Sequence, residues 1–167
     1  MEIINNIRME MQDKTKEKAR INHNTIPIEK TIDGTYHLNG SPQFSANLDT
    51  EFSRFTANCD EPTALGGPGV NPTPLTYLLF GVMACYSSTL ASQCSNEGIK
   101  LKELKIRGKL IYDIAPVVIE SNLPIIKELK IEVICETNLK EQIKRAWNRC
   151  PAIFAIQNPI KTSIYQE

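Results

Sequence analysis

The chain has 167 residues, of which 41% are hydrophobic and 23% charged, enough for one domain with a real core. Lys+Arg and Asp+Glu both number 19, so no bulk field recruits nucleic acid or an anionic membrane surface. The polar N-terminus has no apolar secretory stretch, and the five cysteines include no C-x-x-C pair and no clustered histidine. A disulfide framework and a metal site are therefore not expected, and reduced cytoplasmic thiols without a cofactor are.

Residues 1–30 read as a polar N-terminal extension, partly helical or disordered, ahead of a single α+β domain over residues 31–167. Within the extension, Met9 to Ala19 favours helix by propensity but offers only a thin apolar face. From Thr31 to Asn58 short runs are broken at Asp33-Gly34, Asn39-Gly40-Ser41-Pro42 and Asp49-Thr50. These are hairpin signals, and they predict an antiparallel meander of two or three strands.

A turn-dense loop follows, with Pro62, Gly66, Gly67, Pro68, Gly69, Pro72 and Pro74 in close succession. This composition commits the backbone to defined turns. Thr73 then suits an N-cap and Pro74 a first helical turn. The apolar run Leu75 to Ala91, with Cys85 in its middle, predicts a buried core helix. Its length and its hydroxyl-bearing face argue against a membrane span. Asn96-Glu97-Gly98 marks the stop.

Lys102 to Ile114 alternates as a half-buried strand, with Leu104, Ile106, Gly108, Leu110 and Tyr112 on one face. Ala115 to Pro124 reads as a loop. Ile125 to Glu136 alternates again, and Asn138 with Glu141 suggests a capping box for a second helix. Leu139, Ile143, Ala146, Trp147 and Cys150 follow at helical spacing, and Pro151 ends that helix. Ile160 to Tyr165 is expected to close the chain as a short strand. The outline is strands, helix, two strands, helix, strand, with helices packed on antiparallel sheets.

A free cysteine in an apolar helix is most often a buried, inert side chain. At Cys85, the constrained loop upstream and the polar Tyr86, Ser87, Ser88 and Thr89 downstream favour a functional thiol. Cys150, at a helix edge beside Arg149 and Pro151, is a second candidate, since a nearby cation can tune a thiol toward thiolate. Cys59 and Cys135 read as strand residues and Cys94 as a packing residue. His23 and His37 have no partner pattern, and Gly66-Gly67-Pro68-Gly69 lacks the lysine of a phosphate loop.

The ordered set D-E-P-x-x-L-G-G from Asp60, N-P-x-P-L-x-x-L-L-x-x-x-x-A-C from Asn71 to Cys85, and the distal Cys150-Pro151 resembles the OsmC/Ohr family of osmotically inducible and organic hydroperoxide resistance proteins, in its OsmC-like branch. The resemblance runs from about Phe44 to Tyr165. It implies an intertwined homodimer of α+β subunits, with the long Cys-bearing helices packed together and active sites at the subunit interface. It also implies that Cys85 attacks an organic hydroperoxide and that Cys150 resolves the sulfenic acid to a disulfide, which a dithiol reductant then opens. Tyr86 and Trp147, near the two thiols in sequence, are candidate pocket residues. The family's peroxidases carry a glutamate after the helix-opening proline, paired with an arginine. Here Leu75 stands in the glutamate's place, and Arg54 is the candidate for the activating cation. Two alternatives follow: a non-peroxidase dimer that binds a small apolar ligand in the interface pocket, or a structural protein with inert core cysteines.

Overall fold

Turn chemistry and side-chain period divide the chain into short strands and helices of alternating kind. The computed structural model describes residues 2–119 and 121–166. A short hairpin, β1 (Ile3–Ile4) and β2 (Ile7–Arg8), leads into α1 (Met9–Ile21). Three strands follow, β3 (Gly34–Tyr36), β4 (Phe44–Asn47) and β5 (Thr56–Cys59), and then the long helix α2 (Pro74–Asn96). The chain continues through β6 (Lys105–Tyr112), α3 (Ala115–Val118), β7 (Ile126–Ile134), α4 (Lys140–Arg149) and α5 (Pro151–Gln157). This is the expected α+β mixture with antiparallel sheets.

The meander is the antiparallel sheet β3-β4-β5, with Ala46 opposite Gly34 on one side and Ala57 on the other. Asp33-Gly34 is not its turn, because Gly34 is itself a strand residue. A Cβ there would lie 2.2 Å from the ring of Phe44, so the cross-strand aromatic occupies the space a side chain would need. Strands β6 and β7 pair with each other. Arg107 meets Glu132 at 3.0 Å, and Asp113 meets Lys127 at 3.7 Å, so the two strands run in opposite directions.

The chain divides into two compact units. One holds the residues through Ile26, Gly81–Lys109 and the residues from Leu129 onward, and the other holds Pro27–Phe80 and Leu110–Glu128. In the first unit, Val82, Tyr86, Leu90 and Cys94 recur along one face of α2 and are buried with Leu139, Ala146, Cys150 and Ile153. Each fully buried aliphatic side chain of this kind contributes about 2 kcal/mol of transfer free energy. Ile106, Leu129, Ile131 and Val133 pack against the cluster from β6 and β7. The hairpin is pinned to the end of α2: Asn5 donates to Ser95 Oγ and to the Ile99 carbonyl, and accepts from Leu101 N–H.

In the second unit, Asp60 organises the loop before α2. Its buried carboxylate accepts hydrogen bonds from Ser41 Oγ, Gln43 N, Val70 N, Asn71 N and Asn71 Nδ2 at 2.7–3.2 Å. Burial alone would raise its pKa, but these donors outweigh that and hold it well below the usual carboxylate range. A Cβ on Gly67 would lie 2.1 Å from the Glu61 carbonyl oxygen, so only glycine allows that close approach. Tyr77, in the first turn of α2, donates its hydroxyl to the Asn58 carbonyl at 2.7 Å.

Several expectations change. Helix α2 extends beyond Ala91 to Asn96, and by length and composition it is long and apolar enough to cross a membrane. It is not buried all round: Leu78 is 41% and Phe80 69% exposed. Residues 115–118 are a short helix rather than loop, with Pro116 suited to its first turn. Tyr112 is exposed, because Leu110 and the following Ile111 are both half-buried and the alternation breaks there.

The capping box at Asn138 does not form. Helix α4 starts at Lys140 behind the buried Leu139, and Asn138 Oδ1 accepts the Lys140 backbone N–H at 3.4 Å with no answering bond from Glu141 among the described residues. Pro151 ends α4 but also opens α5, which was not expected. Residues 160–165 form no strand, and Ile160, Ile164 and Tyr165 are exposed with no strand paired to them among the described residues.

Candidate functional site

Helix α2 begins as its sequence dictates. Thr73 Oγ1 accepts the Thr76 backbone N–H at 3.3 Å, and Pro74 takes the first helical position. Three turns on, Cys85 is half-buried, on the flank of the face that carries Tyr86 into the core. Helix α4 carries Ala146 inward and delivers Cys150 at its C-terminal boundary, fully buried at the junction with α5. The two sulfurs lie 3.5 Å apart. A disulfide needs about 2.05 Å, so this is a contact between two free thiols that a small movement converts to bonding distance.

Burial pushes the Cys85 thiol up. The Ala152 backbone N–H, in the first turn of α5, opposes the rise by hydrogen-bonding the sulfur, and the neighbouring Cys150 thiol adds to it. No cation is among the influences on Cys85. The sequence could not have singled out Ala152, because its contribution is a backbone group placed by the turn at Pro151.

The other candidates lie as follows. Tyr86 is 1% exposed and donates its hydroxyl to the Ile143 carbonyl at 3.3 Å. Trp147 stands edge-on to the Tyr86 ring, with centroids 6.2 Å apart and planes at 70°. Trp147 is half-buried and also borders a groove with Arg107, Lys109 and Lys130. The Arg54 side chain is 93% exposed and faces Asp49 at 3.9 Å. Among the described residues no group of His, Cys, Asp and Glu could hold a metal ion.

Two cavities matter for chemistry. Cys85 opens onto a groove of about 600 Å3, walled by α1, α2 and the α4–α5 junction. In the second unit, a cavity of about 260 Å3 lies between the Glu61–Leu65 turn, the start of α2 and the segment around α3. Its walls are almost wholly apolar, with Leu65, Leu75, Tyr112, Ile114, Val117 and Ile125 among them.

No curated protein sequence matches the chain. In fold it is similar to an OsmC-like protein from Mycoplasma pneumoniae, with TM-score 0.58 and 20% identity over 79% of this chain and 89% of that one. It is similar as well to an organic hydroperoxide resistance protein OsmC from Legionella pneumophila, with TM-score 0.54 and 20% identity over 78% and 92%. An organic hydroperoxide resistance protein from Elizabethkingia anophelis gives TM-score 0.54 and 22% identity over 79% and 91%. The sequence family of OsmC-like proteins matches residues 66–164, more than half of the chain, which includes both thiols of the close pair. The chain belongs to the OsmC-like protein family.

Proposed function

We propose that the protein is a thiol-dependent peroxidase that reduces organic hydroperoxides through Cys85 and Cys150, working as a homodimer in a reducing cytoplasm. The observation that carries this reading is the 3.5 Å separation of the two sulfurs. The Cys85 thiolate attacks the distal oxygen of the hydroperoxide, the O–O bond breaks, and the alcohol leaves after taking up a proton. Cys85 is then a sulfenic acid. The Cys150 thiolate attacks its sulfur, water leaves, and a Cys85–Cys150 disulfide forms. A dithiol opens that disulfide by exchange and is itself oxidised. The exposed Leu78 and Phe80 of α2 support the dimer, as apolar surface that a second copy would cover.

Steady-state consumption of cumene hydroperoxide with dithiothreitol tests the reading. Cys85→Ser is expected to abolish turnover. Cys150→Ser is expected to form no intramolecular disulfide, leaving Cys85 as a sulfenic acid after one hydroperoxide per chain and as a sulfinic acid after a second. A wild-type protein that consumes no hydroperoxide overturns it.

A second reading is favoured by one observation: Leu75 gives the cavity at the start of α2 an apolar wall where the resembling peroxidases place a glutamate. In that reading the cavity binds a small apolar molecule and the thiols are inert. Thermal stabilisation by small apolar compounds that survives full alkylation of the cysteines would support it, and stabilisation lost with the thiols would remove it.

A further inference from the structure

The groove over Cys85 has a wall that lies outside the family match: α1 lends it Gln12, Thr15, Lys16 and Ala19. Helix α1 has no buried residue and is seated by polar contacts. The Gln12 side-chain amide donates to Ser92 Oγ, and Lys16 Nζ donates to Asn96 Oδ1 at 2.7 Å. The anchored β1–β2 hairpin fixes its start. The segment is therefore part of the thiol's surroundings and not a loose tail.

The charge of this groove is one-sided. Among the described residues that line it, Lys16 and Arg149 are the only charged side chains, and the α2 wall adds hydroxyl and amide groups. Asp13 contacts Lys16 at 2.7 Å from outside the lining, but that exposed pair offsets little of the charge. Glu97, the carboxylate nearest in sequence to the groove's α2 wall, is tied to Arg145 at 3.0 Å and to Gln93 and Gln142. The Gln12 side-chain oxygen is buried and has no hydrogen-bond partner among the described residues. Lys16 Nζ gives two of its three donors to Asp13 and Asn96, and Arg149 lines the same groove.

We propose that Lys16 of the N-terminal helix and Arg149 make the Cys85 groove selective for small molecules that carry an anionic group, a carboxylate above all, beside the atom that meets the sulfur. They are specificity-determining residues. The inference rests on Cys85 being the reactive thiol, but its first test needs no peroxidase activity. Two reactants have the right chemistry: the hydroperoxide that oxidises Cys85, and the thiol that reduces its disulfide.

The direct probe is a pair of methanethiosulfonates of similar reach, one ending in a sulfonate and the other in a trimethylammonium. With each, the Cys85 thiolate attacks the sulfenyl sulfur, the S–S bond breaks and methanesulfinate leaves. Mass mapping then follows loss of the Cys85 thiol, counting both the adduct and any disulfide that Cys150 closes by displacing it. Relative to a small free thiol, the sulfonate reagent should be favoured by about tenfold, a typical gain from a charge-lined cleft. Lys16→Gln with Arg149→Gln should bring the preference down to the free-thiol value, and Lys16→Glu with Arg149→Glu should reverse it. If the variants fail to fold, wild-type protein in about 1 M salt should lose the preference, because screening there acts within roughly 3 Å.

Two further comparisons identify the reactant. One sets a carboxylate-bearing hydroperoxide against its methyl ester. The other sets mercaptopropionate against mercaptoethanol in cleaving the disulfide at Cys85. Preference for the charged member in the first assigns the groove to the oxidant, and in the second to the reductant. A protein that consumes no hydroperoxide but keeps the sulfonate preference loses the peroxidase reading and retains this one. A sulfonate preference no greater than that of a free thiol, or one unchanged by substitution and salt, overturns it.

Discussion

Cys85 and Cys150 bring their sulfurs to 3.5 Å from separate helices, one from the middle of α2 and the other from the end of α4. The sequence separates them by 65 positions, and the core of Tyr86, Leu90, Ala146 and Ile153 holds the two helices together.

The raised Cys85 thiol sets a pH dependence. Its pKa lies above the ordinary thiol value, so at neutral pH the reactive thiolate is the minor form. Below that pKa the thiolate fraction grows about tenfold per pH unit. Hydroperoxide consumption under pseudo-first-order conditions should rise through pH 7 to 9 without levelling off. A plateau beginning below pH 7 would mean that a cation stabilises the thiolate in solution.

Asp60 should govern acid stability. Its folded pKa is depressed, so its contribution is present above the unfolded value, near 3.9, and is lost as pH falls through the folded value. Asp60→Asn should lower Tm at neutral pH and shrink the difference from wild type below about pH 3. Calorimetric melts at both pH values check this, and an equal loss at both would contradict it.

Leu90 is 0% exposed at the centre of the core face of α2. Leu90→Ala should cost about 2–5 kcal/mol in urea unfolding. A cost under about 1 kcal/mol would mean that the core packs differently in solution.

Leu75→Glu tests the apolar cavity. A carboxylate placed among Leu65, Ile114 and Val117 should abolish binding of a small apolar fluorophore there. Unchanged binding in a titration would locate the ligand elsewhere.

Much of this was legible where local chemistry dictates structure. The proline and glycine run fixed a loop, Thr73-Pro74 a helix start, and the spacing from Leu139 to Cys150 a helix face, so both thiols could be singled out. Helix α5 escaped because Pro151 is as good at opening a helix as at ending one. Gly34 escaped because its role depends on Phe44 across the sheet. The part played by α1 was hidden for a related reason. Its contacts are polar and long-range, Gln12 to Ser92 and Lys16 to Asn96, and no apolar period announces them.

The joint action of Cys85 and Cys150 is tested most directly by stoichiometry. Fully reduced protein, with its five free cysteines, is mixed with one equivalent of cumene hydroperoxide and no added thiol. Remaining thiols are counted after denaturation, and linked peptides are mapped by mass. The expected result is loss of one pair of thiols per chain, one alcohol formed, and a single link between Cys85 and Cys150. Persistence of the hydroperoxide with all five thiols intact would contradict it.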